Sequence, residues 1–259
     1  MSNTLTPIAF PLTPRMQSLI ELRDTLRILM QAMQSPAPYT WLTAKKEMAD
    51  MLLGEGNKTP VTPNILSLFH VMGKHFKDLS EKYPDYKPNL LQAVAGLEEH
   101  AENIRTSIPP LVDFLQSDVW LTSYNELIRK QDPLGHKYAL PQTINLLWSG
   151  ESQHATALPA LLHPVIQAIE HINQMLHAHV PWENRIAQHG ADQITFAAQD
   201  NIGLLIVGVS SNTINQGILP SCSGFRSTVR LRFTQWKEGK IAQDIHTDQP
   251  YSLMLVPFS

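Results

Sequence analysis

The sequence predicts an α+β protein, with a mainly α-helical domain plus a smaller antiparallel β domain. Three observations carry that prediction. Apolar residues recur at helical spacing through the first two-thirds of the 259-residue chain. Beyond Trp182 the apolar period changes from about 3.6 residues to two. Within that second region Gly224 to Trp236 reads Gly-Phe-Arg-Ser-Thr-Val-Arg-Leu-Arg-Phe-Thr-Gln-Trp, a strand pattern with a basic face.

Thr13 followed by Pro14 is an N-cap and first-turn pair. Met16, Leu19, Ile20, Leu22, Leu26, Leu29, Met30 and Met33 then follow in one stripe, to about Gln34. A second helix is expected from about Ala37 to Leu53, stopped by Gly54, a favoured residue just past a helix end. Thr62-Pro63 opens a third, with Ile65, Leu66, Phe69, Met72, Phe76 and Leu79 inward; Tyr83-Pro84 closes it, because proline disfavours helix in the residue before it. Asn89 is expected to cap a fourth, with Leu90, Leu91, Val94, Leu97 and Ile104 inward, ending before Pro109-Pro110. A shorter helical stretch follows from about Leu111 to Arg129, and a long one from about Leu158 to Ala178. Leucine and methionine stripes of this kind are core packing.

The β signals start after Pro181. Ile194, Phe196 and Ala198 alternate, Asp200-Asn201 reads as a turn, and Leu204 to Val209 is a short apolar run. A final run spans Leu253 to Phe258. Val229, Leu231 and Phe233 alternate with Thr228, Arg230 and Arg232, so Arg226, Thr228, Arg230 and Arg232 share one face, with roughly 6.5–7 Å between same-face neighbours. The apolar, partly β-branched segment Ala139 to Trp148 is expected to leave the helical layer and join the sheet. The domain expectation is therefore 1–135 with 152–180 for the helical domain, and 136–151 with 181–259 for a discontinuous β domain. The β region is read as a sheet packed on the helices.

Composition narrows the function. A hydrophobic fraction of 43% and a charged fraction of 17% belong to a folded chain. A formal charge of -3 argues against a general nucleic-acid coat, so any anion site must be local. Cys222 is the single cysteine, which excludes intramolecular disulfides and cysteine-based zinc sites. No signal peptide is visible at the N-terminus, and the charge-free stretch Asn201 to Phe225 is broken by Gly, Ser, Asn and Pro, so no membrane insertion is expected. The expectation is a cytoplasmic protein.

The chain carries no recognisable catalytic signature. Gly203 and Gly208 are not followed by the Lys-Ser/Thr pair of a phosphate loop. Ser149 sits in Trp-Ser-Gly-Glu, not in a nucleophile elbow. Cys222 lacks the local signature of a cysteine nucleophile and reads as a buried, inert thiol. His70 with His75, His177 with His179, and His163 with His171 all miss the spacing of a helical metal face. Glu98-Glu99, Asp113 and Asp118 show no pairing for acid–base work. A non-enzyme without cofactor or metal is expected.

The arginine row is suited to gripping carboxylates or phosphates; its bland alternative is the solvated face of an ordinary strand. A resemblance favours the first. Phe10-Pro11-Leu12-Thr13-Pro14-Arg15-Met16 is similar to the start of the first helix in the ZapD family of bacterial cell-division proteins. Leu140-Pro141, with the apolar run to Leu146-Leu147-Trp148, resembles a second family segment. Pro220-Ser221-Cys222-Ser223-Gly224-Phe225-Arg226, leading into Arg232-Phe233, resembles a third. The resemblance implies a homodimer that binds the C-terminal tail of the tubulin-like protein FtsZ, cross-linking and bundling its filaments to support Z-ring assembly at mid-cell. Carried over by position, Arg226 and Arg232 match family basic residues, Arg230 is an additional one, and Arg23 lies two residues beyond a basic position occupied here by Glu21. Thr228 and Val119 also stand where the family has basic residues, and Cys222 replaces an aliphatic one. Two other classes remain: a nucleic-acid-binding module using the arginine face, and a hydrolase pairing a residue such as Ser149 with a distant histidine.

Overall fold

The computed structural model describes residues 5–34, 37–55, 59–129, 154–225, 227–238 and 241–258. The α+β architecture is present. The chain divides into two compact units, one of Ser18–Ile172 and one of Met1–Gln17 with Asn173–Ser259.

α1 (Pro14–Ala32), which enters the helical unit at Ser18, and α2 (Pro38–Leu53) and α3 (Thr62–Lys82) within that unit begin and end close to the expected residues. Gly54 takes φ 73° after α2 and its N–H returns to the Asp50 carbonyl, the left-handed ending a glycine permits. The capping chemistry differs in part. Thr62 lies inside the first turn of α3, its hydroxyl making no cap bond, with Val61 at the cap position. Asn89 likewise lies inside α4 (Lys87–Gln116), which begins two residues earlier.

The larger correction concerns Pro109-Pro110. The sequence reading stops the fourth helix there, yet α4 runs through both prolines to Gln116. Ile104, Ile108, Leu111 and Leu115 remain buried in one stripe across them. Arg105 and Thr106, whose carbonyls lose their i+4 donors to the prolines, are exposed, so water can satisfy them. The chain breaks instead at Asp118. This carboxylate accepts the N–H groups of Trp120 (2.8 Å) and Leu121 (3.1 Å) and caps α5 (Val119–Arg129). A long α6 (His154–His179) contains Pro159 and Pro164. The expected strand contribution of 139–148, together with Ser149, lies outside the described residues.

The other unit holds two antiparallel sheets instead of one. Their strands are β1 (Leu5–Pro11), β2 (Glu183–Ala187), β3 (Ala191–Thr195), β4 (Leu204–Ser210), β5 (Ile218–Phe225), β6 (Thr228–Gln235), β7 (Gln243–Asp244) and β8 (Gln249–Val256). The first sheet has the order β1-β4-β8-β2; the second has β3-β6-β5, with β7 pairing on β6. A short helix α7 (Ser211–Asn215) links β4 to β5 and is capped by the Ser210 hydroxyl. Leu205, Val207, Val209, Tyr251 and Leu253 of one sheet and Ile194, Val229, Leu231 and Phe233 of the other form a shared core. The β4 run is buried on both faces except at its end, which accounts for its unbroken apolar sequence. β1 is a strand that the sequence reading does not include, and it contains Pro7 and Pro11. As an edge strand, paired only with β4, it tolerates the missing N–H groups.

Candidate functional site

β6 bears out the alternation read from the sequence. Val229, Leu231 and Phe233 are buried in the shared core, while Arg230 and Arg232 are exposed on the opposite face. The strand is held from both sides, by β3 (Gln193 opposite Arg230, Ala191 opposite Arg232) and by β5 (Ser223 opposite Arg230, Ser221 opposite Arg232). The guanidinium groups therefore rise from the middle of a sheet, flanked by two serines, a glutamine and an alanine. Flanking hydroxyls and an amide can add neutral hydrogen bonds to a ligand whose carboxylates the arginines grip.

Arg232 has one acidic neighbour, which periodicity did not reveal. Asp244 on β7 places Oδ2 4.0 Å from Nη1 of Arg232, with the two side chains 57% and 60% exposed respectively. At that distance and exposure the pair is weak and screened. Thr228 is half-buried at the start of β6. Arg226 lies outside the described residues.

Arg23 is placed differently. It belongs to α1 in the helical unit and turns to its neighbour Asp24, with Nε 3.1 Å and Nη2 3.0 Å from Oδ1. Glu21 is exposed on the same helix, and Val119 is exposed at the first position of α5. Within the β unit, Arg230 and Arg232 are the site residues that one strand brings together.

Cys222 faces inward, opposite Leu231 and against the shared core. Burial pushes its thiol pKa up to about 12, so it behaves as a small apolar side chain. A polar network also ties the two sheets. The Tyr251 hydroxyl on β8 donates to Oδ2 of Asp192 on β3 at 2.5 Å, and Arg185 on β2 reaches the same oxygen at 3.5 Å and Glu183 at 3.1 Å. Burial, then the bond to Asp192, raises the Tyr251 pKa.

The helical unit has its own buried charge. Lys45 is fully buried, ion-paired with Asp118, and its Nζ lies 4.5 Å from the Trp41 ring centre and 5.3 Å from that of Phe114. His100 and His171 stack with ring centres 4.5 Å apart, and desolvation followed by the His100 charge lowers the His171 pKa. A groove of about 470 Å³ between α3 and α4 has Phe69 and Leu97 among its lining and is crossed by the Lys77–Glu98 pair at 3.0 Å; its lining carries no serine, threonine or cysteine. Among the described residues, no group of three or more His, Cys, Asp or Glu is placed to hold a metal. No helix among them is long and apolar enough to cross a membrane.

Sequence reasoning missed Trp236, which is 58% exposed immediately after β6. Its even number gives it the same strand parity as Arg230 and Arg232, so the signal was available. No family model matches the chain, and no curated protein matches it.

Proposed function

We propose that the protein is a non-enzymatic cell-division factor that binds the C-terminal tail of FtsZ through the arginine face of β6. As a homodimer it carries two such faces, and so cross-links and bundles FtsZ filaments in the cytoplasm, at the mid-cell ring. The observation that carries this reading is the pair Arg230 and Arg232, exposed above a packed core on a strand held from both edges. A rigid element presenting two guanidinium forks suits an acidic segment, and a local basic face is what a chain of net charge -3 needs for such a partner. The inward placement of Cys222 supports the reading further, since it leaves the outer face of the Pro220–Phe233 region unaffected by that departure from the ZapD pattern.

Co-sedimentation with polymerised FtsZ tests the proposal. The protein should pellet with filaments of full-length FtsZ and stay in the supernatant when the C-terminal tail is deleted. Failure to pellet with full-length filaments overturns the reading. Tight retention of random DNA at physiological salt would favour the nucleic-acid class instead.

A further inference from the structure

We infer that Trp236 is the apolar anchor of the arginine face, which therefore takes an extended acidic segment carrying one large apolar side chain about 13 Å from its carboxylates. The inference deepens the proposed function and rests on it for the identity of the partner. Its geometry is set by the strand. Trp236 N–H donates to the Gly217 carbonyl at 2.8 Å, which extends the β5–β6 ladder one residue past Gln235. Trp236 lies four positions beyond Arg232, and side chains two apart share a face, so the row Arg230, Arg232, Thr234, Trp236 lies along one side of the sheet.

Trp236 is also held in place. Gly217 has φ 74°, and a Cβ there would meet the Trp236 carbonyl oxygen at 2.1 Å. Only glycine fits that turn, so the backbone under the indole is fixed by close contact. Ile241, 91% exposed, lies on the connection from β6 to β7 and adds apolar surface from that same connection. Single exposed apolar residues need no explanation, but a tryptophan in line with two exposed arginines has the composition of an interface centre. The chemistry selects the occupant. Two cations with a resident carboxylate nearby, on a chain of net charge -3, suit a short acidic peptide better than a polyphosphate backbone.

The test measures peptide binding by fluorescence anisotropy to the full chain, its Trp236→Ala and Trp236→Phe variants, and Arg232→Glu. Two labelled probes are used: the FtsZ tail, and an unrelated glutamate-rich peptide with one phenylalanine, compared with the same peptide bearing serine there. Trp236→Ala should weaken the tail by about tenfold, Trp236→Phe should restore most of it, and the phenylalanine peptide should outbind its serine counterpart. Unchanged tail binding by Trp236→Ala sinks the anchor while leaving the FtsZ reading intact. No tail binding, with Trp236-dependent binding of the phenylalanine peptide, removes FtsZ and keeps the anchor. Equal binding of both glutamate peptides, or a preference for single-stranded DNA over either, overturns the inference.

Discussion

Arg232 and Asp244 face each other at 4.0 Å across the β6–β7 ladder, both more than half exposed. The carboxylate is near enough to orient the guanidinium and too weakly held to occupy it. Charge reversal by Arg232→Glu should therefore weaken FtsZ-tail binding by at least about tenfold, since a hydrogen bond to a charged group contributes about 1.5–3 kcal/mol. Val229, Leu231 and Phe233 still pack on the other face, so circular dichroism and melting temperature should change little. Asp244→Asn removes the competitor and should strengthen binding by up to about fivefold. Equal affinities for all three proteins in a titration with labelled tail would place the site elsewhere.

Salt should weaken the complex. The screening length falls from about 10 Å at 0.1 M to about 3 Å at 1 M, and exposed arginine–carboxylate contacts weaken with it. Tail affinity measured across that range should fall steadily for the unmodified protein and less steeply for Arg232→Glu. A flat profile would make apolar contact the dominant contribution.

The helical unit buries the ion pair Lys45–Asp118 completely. Lys45→Met alone leaves Asp118 buried without its counter-ion and should cost about 3–5 kcal/mol in urea unfolding. Lys45→Met combined with Asp118→Asn removes both charges, keeps a capping side chain for α5, and should recover most of that loss. Burial by itself lowers the Lys45 pKa from its ordinary 10.5, and the contact with Asp118 opposes that shift by favouring the charged form.

Cys222 should react slowly with thiol reagents in the native protein. With its pKa near 12 against an ordinary 9.0, the thiolate fraction at pH 8 is about a thousandfold below that of the unfolded chain. Modification by a chromogenic disulfide should be fast in denaturant and slow without it. Rapid native modification would contradict its packing against Leu231.

Sedimentation equilibrium at micromolar concentration should give about twice the 29.1 kDa of one chain. Helices this rich in leucine and methionine commonly bury more apolar surface than one small domain covers, and a C2 dimer is the usual solution. A monomer would remove the cross-linking mechanism while leaving tail binding open.

By itself the sequence determined the elements whose cause is local. The spans of α1 to α3 follow from stripes and stops such as Gly54 and Tyr83-Pro84, and the two faces of β6 follow from strict alternation, which placed Arg230 and Arg232 outward. Tertiary structure decided what depends on distant residues. Pro109-Pro110 should end a helix on local grounds, but the stripe buried beneath them continues, and Arg105 and Thr106, whose carbonyls lose their donors, are exposed. β1 carries Pro7 and Pro11, and its pairing partner β4 lies about 200 positions away in the chain. Asp118 shows no pairing at the level of spacing, because Lys45 lies 73 positions earlier in the chain. Asp244 meets Arg232 only through the β6–β7 pairing. Periodicity reports which face of an element is buried; which residues meet across elements depends on chain closure, and no local pattern encodes that.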